Sequence, residues 1–308
     1  MTRAATRLAV TLGDPRGIGP EVTAAALEAA EVELVTIGPT GTAAEPDIPI
    51  GHWTGESAEL AGALAGAAIE RATAMALDGQ VAGIVTAPIE KAALSAAGYR
   101  FPGHTEMLQS LTGAVEVAML MTAERTALGG PLRVVLATTH IPLEAVPAAV
   151  TGEKLMAQAR LTARSLRSWW GIARPRLALC ALNPHASDGG LFGDEEARVM
   201  EPALATLRDD PLDIAGPVPA DTVFVRAVRG EFDAVIAPYH DVGMAAFKTA
   251  SFGSGVNVTL GLPFVRTSPD HGTALDIAGR GIADAASMAE AISLAARIAR
   301  ILSEAPAP

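Results

Sequence analysis

The chain alternates between short apolar runs and longer segments in which apolar and polar residues mix. The short runs are rich in Val, Leu and Ile, as buried strands are, and they span residues 8–12, 32–37, 81–85, 132–137, 177–182, 234–237 and 256–260. The longer segments are rich in Ala, Leu, Glu and Arg and predict helices over residues 20–30, 59–77, 152–169, 195–208 and 285–302. Strands that alternate with helices of this length predict an α/β fold with mostly parallel sheets.

Length and composition narrow the class of protein. A chain of 308 residues, half of them hydrophobic, can bury the core of one large α/β unit or of two domains. No flexible spacer interrupts it, so two domains would have to share the chain by crossing over more than once. The formal net charge of −11 argues against a nucleic-acid surface, which needs a clustered basic face. The single cysteine, Cys180, lies inside an apolar run and is predicted to be a buried small hydrophobe.

Two apolar stretches could suggest a targeting or membrane segment. The first stops at Gly13, which leaves it too short for the hydrophobic region of a signal peptide. The second, residues 249–265, is interrupted by glycines and Pro263, so it does not predict a membrane span. We therefore expect a cytoplasmic protein with no membrane partner and no nucleic-acid partner.

Three histidines, His140, His185 and His240, each follow a predicted strand. Open α/β sheets bind ligands outside the carboxyl ends of their strands, so these imidazoles could converge on a metal ion. A single histidine at such a position is more often a hydrogen-bonded scaffold residue, but three with the same placement favour a metal. Three imidazoles alone do not choose between zinc, cobalt, nickel and manganese.

Two further motifs lie at predicted turns before helices. Residues 13–21 form a Gly-rich turn that could hold an anion at a helix N-terminus or could be purely structural, and the spacing leaves both open. It lacks the order of glycines found in a Rossmann fingerprint. In residues 103–106, His104 and Thr105 could grip a phosphate or carboxylate, although the spacing alone favours Thr105 as a helix N-cap.

The segment 233–281 places single polar residues between apolar and Gly-rich stretches, as the wall of a pocket requires. Lys248 and Arg266 could neutralise a phosphate, and Asn257 could hydrogen-bond it. Ordinary surface charge is the usual role of a Lys or Arg. Because the neighbours here are apolar, a buried anionic partner is the favoured interpretation.

Taken together, these segments resemble the 4-hydroxythreonine-4-phosphate dehydrogenase family of vitamin B6 biosynthesis. The resemblance is carried by residues 13–21, 103–106, 137–140, 182–186, 216–221, 239–241, 255–266 and 267–281, which span nearly the whole chain in the expected order. The chain departs from the family pattern at Val242, where a glutamine is common, and at Pro238, where a methionine is usual.

The resemblance implies a fold related to isocitrate and isopropylmalate dehydrogenases, with two α/β/α domains and an active-site cleft between them. Residues 1–113 and 250–308 would form the nucleotide-binding domain, and residues 114–249 the metal, substrate and dimerisation domain. Residues 271–279 look like the nucleotide-binding loop of those enzymes, which implies NAD or NADP as cofactor. The cofactor-binding positions would be His271, Gly272, Thr273, Ala274 and Asp276.

The resemblance also assigns site residues. It implies a divalent metal (Zn, Co, Ni, Mn or Mg) bound by His140, His185 and His240, with ligands from both subunits of a homodimer and the active site at the subunit interface. The substrate-binding positions would be His104, Thr105, Lys248, Asn257 and Arg266. Asp221, Asp241 and Lys248 are the candidates for orienting a histidine or moving a proton, and the sequence does not choose between them.

The implied reaction is the NAD-dependent and metal-dependent oxidation of 4-phosphohydroxy-L-threonine to a 3-keto acid, which loses CO2 to give 3-amino-2-oxopropyl phosphate. Related enzymes oxidise D-threonate or D-erythronate 4-phosphate, and others oxidise aromatic cis-dihydrodiols. Two other classes are a metal-dependent hydrolase or lyase without nicotinamide and a non-catalytic sensor of a phosphorylated metabolite. The segments 103–106 and 137–140 favour the phosphorylated substrates, with phosphohydroxythreonine first.

Overall fold

The computed structural model describes residues 7–55, 57–251 and 253–304. The chain divides into two compact units: unit 1 comprises Met1–Val117 and Val256–Pro308, and unit 2 comprises Ala118–Gly255. The chain thus leaves unit 1 and returns to it, which is why no linker separates the units in the sequence. The functional roles expected for the two domains stay predictions.

The elements follow in chain order. The strands are β1 (Arg7–Thr11), β2 (Glu33–Thr40), β3 (Ile48–His52), β4 (Gly83–Thr86), β5 (Ala118–Ala123), β6 (Leu132–Leu136), β7 (Arg176–Cys180), β8 (Asp213–Val218), β9 (Ala234–Ala237), β10 (Val256–Leu260) and β11 (Val265–Pro269). The helices are α1 (Gly19–Leu27), α2 (Ala58–Leu77), α3 (Lys91–Ala96), α4 (His104–Thr112), α5 (Val146–Ala149), α6 (Gly152–Trp170), α7 (Glu201–Leu207), α8 (Ala220–Val228), α9 (His240–Ser251) and α10 (Ala286–Glu304).

Unit 1 is built on the strand order β3-β2-β1-β4-β11-β10. Its neighbouring strands run parallel except β10 and β11, which are antiparallel. Helix α2 packs on β1 and β2, and α10 packs on β11. The core forms where Ile69 and Ala72 of α2 meet Ile37 and Ile84 of the sheet. Apolar strands covered by helices account for the absence of clear alternation in these strand sequences.

Helix α2 is, within the described residues, the one helix long and apolar enough to cross a membrane by length and composition. In this structure 61% of its apolar window is buried inside the protein. Its N-terminus is capped by Ser57, whose hydroxyl accepts a hydrogen bond from the Leu60 N–H at 3.1 Å. The burial identifies α2 as a core helix of unit 1.

Unit 2 is built on the strand order β5-β6-β9-β7-β8, in which β5 and β6 are antiparallel and the remaining neighbours are parallel. Its core joins Val134 and Val235 of the central strands to Phe224 of α8 and Phe247 of α9.

Cys180, at the end of β7, is fully buried, and burial raises the pKa of its thiol to about 12. The prediction that Cys180 acts as a small hydrophobe is confirmed.

The predicted alternation of strands and helices is confirmed, but several elements were missed. Strands β3 and β8 contain Gly and Pro, lie at the edges of their sheets, and therefore lack the apolar run of a central strand. Strand β11 was missed because it carries the charged Arg266. The predicted helix over 195–208 is a π-helical turn, Glu196–Met200, followed by α7. Helix α9, which begins at His240 soon after β9, was not predicted.

Candidate functional site

The adjacent ends of β6 and β9 in unit 2 bring two of the three histidines together. These strands are parallel and paired from Val134 to Leu136, so the chain leaves both at the same edge of the sheet. His140 lies in the segment after β6, and His240 is the first residue of α9. Their ring centroids are 5.2 Å apart.

The ring of His240 is oriented by its neighbour. Its Nδ1 lies 2.7 Å from Oδ1 of Asp241, an exposed carboxylate. Because an ionised carboxylate only accepts hydrogen bonds, this contact places the imidazole proton on Nδ1 and leaves the Nε2 lone pair for a metal. A cavity of about 320 Å³ adjoins the two rings and is lined by Thr139, His140, Ile141, Leu143, Val146, Tyr239, His240 and Asp241. The donor set and the available space fit a divalent cation.

His185 lies elsewhere in unit 2. It belongs to a 3-10 turn, Pro184–Asp188, that follows β7, and its ring stands edge-on to Phe192 with centroids 6.5 Å apart. Within the residues that the structure describes, no group of three or more His, Cys, Asp or Glu side chains is placed to hold a metal ion. The structure therefore pairs His140 with His240 and leaves His185 apart from them within one chain.

The turn that carries His185 has an unusual backbone. His185, Ala186, Ser187 and Asp188 all have positive φ angles, of 52°, 54°, 69° and 45°. Side chains with a Cβ rarely adopt this left-handed region, because Cβ crowds the following carbonyl. A run of such residues persists only where neighbouring groups hold it.

Glu196 holds this turn and was missed in the sequence. Its carboxylate is 2% exposed and accepts hydrogen bonds from the backbone N–H of Leu182 at 2.9 Å and of Asn183 at 2.7 Å. It also accepts from the Asn183 side-chain amide at 2.9 Å and from the Ser187 hydroxyl. Burial raises the pKa of Glu196, but the hydrogen bonds from Asn183 and Ser187 outweigh it, so the net shift is downward. The available sequence signal was the run of three acidic residues, 194–196, at the start of the predicted helix 195–208.

In unit 1, Arg266 of β11 is a buried cation with neutral partners. It is 2% exposed; its Nε and Nη2 donate to Thr86 Oγ1 at 3.2 and 2.6 Å, and its Nη1 donates to Thr259 Oγ1 at 3.0 Å. Among the described residues, no carboxylate forms an ion pair with it. Burial lowers the pKa of Arg266 to about 10, opposed by the charge of Glu106, so the group stays protonated at neutral pH. A buried charge without a counter-ion is costly, and an anionic ligand would offset that cost.

Two unsatisfied polar atoms belong to the same region. The Nε2 of His104, the first residue of α4, is buried without a hydrogen-bond partner, and so is Oδ1 of Asn257 on β10. Burial, and then the charge of Arg266, lower the pKa of His104 well below 6.5, so its imidazole is neutral. Because side chains alternate along a strand, Asn257 shares a face of β10 with Thr259, which contacts Arg266. A buried cation beside an unpaired imidazole nitrogen and an unpaired amide oxygen suits a ligand that carries both an anionic group and a hydrogen-bond donor.

The remaining predicted substrate and catalytic residues occupy different positions. Thr105 is the second residue of α4, whose N-cap is Gly103. The expectation that Thr105 caps the helix is therefore wrong, because the N-cap lies two residues earlier, at Gly103. In unit 2, Asp221 lies in the first turn of α8 and Lys248 in the last turn of α9, and both are exposed. Of the two candidate carboxylates, Asp241 is the one in contact with a predicted metal ligand.

The Gly-rich turn of unit 1 packs against the predicted nucleotide loop. The N–H of Ile18 donates to the Thr273 carbonyl at 2.9 Å, and a Cβ added at Gly17 would lie 2.7 Å from that oxygen. The N–H of Gly279 donates to the Glu21 carboxylate at 2.9 Å. Gly17 is thus needed for close backbone approach, which is a structural role.

The loop itself contains the other predicted cofactor positions. Ala274 has a φ of 43°, and the Nδ1 of His271 lies 3.0 Å from the carbonyl oxygen of Gly272. The Nε2 of His271 is buried without a partner. A cavity of about 430 Å³ adjoins the loop and is lined in part by Arg16, Glu21, Trp53, Ala278 and Gly279. Asp276 lies on the exposed side of the loop.

Sequence comparisons give these observations a family context. The model of the family "Pyridoxal phosphate biosynthetic protein PdxA" matches residues 7–295. The chain is 44% identical over 314 residues to a 4-hydroxythreonine-4-phosphate dehydrogenase of Paracoccus denitrificans, covering 94% of this chain and 97% of that protein. It is 41% identical over 340 residues to a putative D-threonate 4-phosphate dehydrogenase of Bradyrhizobium diazoefficiens, covering 95% and 96%.

Solved structures agree with the fold. A 4-hydroxythreonine-4-phosphate dehydrogenase from Klebsiella pneumoniae is similar with a TM-score of 0.84 and 38% identity, covering 97% of this chain and 99% of that one. A β-decarboxylating dehydrogenase from Thermococcus kodakarensis has a TM-score of 0.54 at 16% identity, over 94% and 81%. The second similarity concerns the fold alone. The predicted α/β fold related to the decarboxylating dehydrogenases is confirmed.

Proposed function

The chain belongs to the family of the pyridoxal phosphate biosynthetic protein PdxA, a family of dehydrogenases, and we propose that it oxidises 4-phosphohydroxy-L-threonine. In this reaction a hydride leaves the carbinol carbon for the nicotinamide of NAD or NADP, and the hydroxyl proton is released. The resulting 3-keto acid loses CO2 and gives 3-amino-2-oxopropyl phosphate. The electron balance closes because the nicotinamide is the sole electron acceptor.

The observation that carries the proposal is the buried cation in unit 1. Arg266 is held by Thr86 and Thr259, which are neutral and leave its charge uncompensated. A phosphate would accept charge-assisted hydrogen bonds from the guanidinium, and the planar donor fork suits its oxygens. A cis-dihydrodiol without an acidic group has no charge to match this guanidinium, so the site favours a phosphorylated substrate over such a diol.

Neighbouring polar groups would complete the substrate site. A neutral His104 can either donate or accept a hydrogen bond at Nε2, and Asn257 Oδ1 can accept one from a hydroxyl or ammonium group. We propose Thr105 and Lys248 as further substrate contacts, as the motif resemblance implies. These roles suit a substrate that carries a phosphate at one end and hydroxyl and amino groups beyond it.

We propose that His140, His185 and His240 hold a divalent metal, with ligands from both subunits of a homodimer. The pairing of two rings at 5.2 Å and the orientation of His240 by Asp241 support the metal role. When bound, such a cation polarises the substrate hydroxyl and stabilises negative charge on its oxygen. Imidazole donors suit zinc, cobalt, nickel and manganese better than magnesium. Asp241 orients His240, and Asp221 and Lys248 are the proposed proton carriers.

The nucleotide would bind at residues 271–279, where the proposed contacts are His271, Gly272, Thr273, Ala274 and Asp276. The unpartnered Nε2 of His271 and the adjoining cavity support this placement. The nicotinamide supplies the electron acceptor. A cytoplasmic location agrees with a reaction that uses a soluble nicotinamide cofactor, and we propose it on that ground.

The test is to measure formation of reduced nicotinamide by the purified protein with NAD or NADP and an added divalent metal. The substrates to compare are 4-phosphohydroxy-L-threonine, its dephosphorylated form, D-threonate 4-phosphate, D-erythronate 4-phosphate and a cis-dihydrodiol. We expect turnover of the first and rejection of its dephosphorylated form. Preference for a sugar-acid phosphate would replace the substrate and keep the mechanism, as the Bradyrhizobium relative suggests. Absence of turnover with every compound would refute the dehydrogenase proposal for this set of substrates.

A further inference from the structure

We infer that Glu196 is a positioning residue that fixes the backbone of the His185 turn and so places the His185 imidazole for metal binding. The inference rests on the proposed function, because the position of His185 matters to a metal only if His185 is a ligand. It goes further by assigning a role to a buried carboxylate that contacts neither a metal ligand's ring nor the substrate-binding positions.

The contacts of Glu196 lie on both sides of His185. Before it, the carboxylate accepts from the backbone N–H groups of Leu182 and Asn183 at 2.9 and 2.7 Å; after it, from the hydroxyl of Ser187. One side chain from the next helical segment therefore clamps the chain on each side of His185. Such a clamp restrains the backbone of the intervening residues without touching the imidazole.

The turn needs this restraint. Four successive residues from His185 to Asp188 carry side chains and have positive φ angles. This conformation is sparsely populated in a free chain, so the turn would relax toward negative φ if its anchors were removed. Because Cβ direction follows the backbone, such a relaxation would move the imidazole.

His185 also differs from His240 in how it is oriented. The ring of His240 is held directly by Asp241. Within the described part of the chain, no group hydrogen-bonds the ring of His185, and its recorded neighbour is the ring of Phe192. The placement of His185 therefore depends on its backbone, which Glu196 controls.

The chemistry of a carboxylate is required at this position. Glu196 faces donors only, and both of its oxygens accept. Glu196→Gln keeps the shape but turns an NH2 group toward these donors, which breaks part of the clamp. Glu195→Gln is the matched control, because among the described residues Glu195 accepts a side-chain hydrogen bond from the Asn183 amide alone, at 2.7 Å, and a glutamine oxygen can still accept there.

The experiment measures the affinity of the full-length, metal-stripped protein for Co²⁺ by calorimetry and by the visible absorption of bound cobalt. The variants are E196Q, E195Q, H185A and the double variant E196Q/H185A. We expect E196Q to weaken cobalt binding by about 10–100-fold, the usual effect of losing support around a ligand. E195Q should bind as the wild type does. In the H185A background, E196Q should add no further loss, because its effect passes through His185.

Two results would overturn the inference. One is wild-type cobalt affinity in an E196Q protein that circular dichroism shows to be folded. The other is an equal loss from E196Q with and without His185, which would indicate a general structural effect. If E196Q does not fold, Ser187→Ala removes a single contact of the clamp and should weaken cobalt binding in the same direction, and an unchanged affinity there would equally refute the role. Unchanged cobalt affinity in H185A would instead remove the metal role of His185, on which the inference rests.

Discussion

Arg266 is the residue of unit 1 that most clearly favours an anionic ligand, because its guanidinium is buried among neutral hydroxyls. Its position on β11, between Thr86 of β4 and Thr259 of β10, is set by strand pairing and not by local sequence. At the scale of single residues, the proposed function therefore depends on whether the guanidinium of Arg266 binds the phosphate group of the substrate.

We predict that Arg266→Gln raises KM for the phosphorylated substrate and leaves KM for the nicotinamide cofactor nearly unchanged. Hydrogen bonds to charged groups contribute about 1.5–3 kcal/mol, so the expected rise is about 10–150-fold. Steady-state kinetics with each reactant varied in turn checks this. Arg226→Gln is the control, because Arg226 is half-exposed and pairs with Glu231. Equal increases for substrate and cofactor would move Arg266 out of the phosphate site.

His104 predicts a pH dependence of stability. Its folded-state pKa is lowered, so below pH 6.5 the unfolded chain takes up a proton that the folded protein does not bind at that pH. Stability should therefore fall as the pH drops below about 6.5, by at most ~1.4 kcal/mol per pH unit for one proton. Denaturant unfolding at several pH values, compared between the wild type and His104→Gln, isolates this effect. Parallel curves for the two proteins would show that His104 is not buried in its neutral form.

At the scale of elements, the turn before α1 packs closely against the loop after β11. The Gly17 backbone lies against Thr273, and the Gly279 N–H is bound by Glu21 of α1. Neither contact involves neighbours in sequence. The loop that resembles a nucleotide-binding loop is thus held in place by α1 and by the turn that precedes α1.

We expect Gly17→Ala to destabilise the protein by about 1–3 kcal/mol and to raise KM for the nicotinamide cofactor, because the new methyl group would overlap Thr273. Thermal unfolding and cofactor kinetics are the measurements. Gly152→Ala is the control, since a Cβ there meets nothing closer than 3.7 Å at the start of α6. A Gly17→Ala protein as stable as the wild type would mean that the loop shifts at no cost.

At the scale of the whole molecule, we propose that a second copy of the chain completes the metal site. The cavity beside His140 and His240 has an apolar rim, where Leu143 is 69% exposed and Ile141 is 38% exposed. Exposed apolar side chains of this size next to a polar site are typical of a surface that another chain covers. The proposed dimer would cover the apolar rim and would supply the third metal ligand from the partner chain.

We predict that Leu143→Glu weakens the dimer and the affinity for a divalent metal together, because one interface serves both. Light scattering over a range of protein concentrations and calorimetry with Co²⁺ check the two effects. Val115→Glu is the control, since Val115 is 98% exposed and belongs to unit 1. A monomer that keeps full metal affinity would show that one chain supplies the whole site.

Much of the architecture was predictable, since most central strands, though not β11, are continuous apolar runs and since α2, α6 and α10 are long helical segments. The apolar residues of these elements recur with the spacing of the buried face of a strand or helix, and this spacing is visible in the sequence. Edge strands such as β8 were not predictable, because half-exposed residues leave no such pattern. Helix α9 was missed for a different reason. The Tyr-His-Asp sequence was interpreted as part of a binding site, and the start of a helix at His240 was not recognised.

The sequence by itself determined the fold class and the family, because these depend on residue types in a fixed order, and it supplied the candidates for the site residues. Only the tertiary structure decided which of them meet. Strand pairing joined His140 to His240 and left His185 in a separate turn, and folding buried Arg266 with hydroxyl groups as its hydrogen-bond partners. It also gave Glu196 its role, since a carboxylate becomes a clamp only when folding surrounds it with donors.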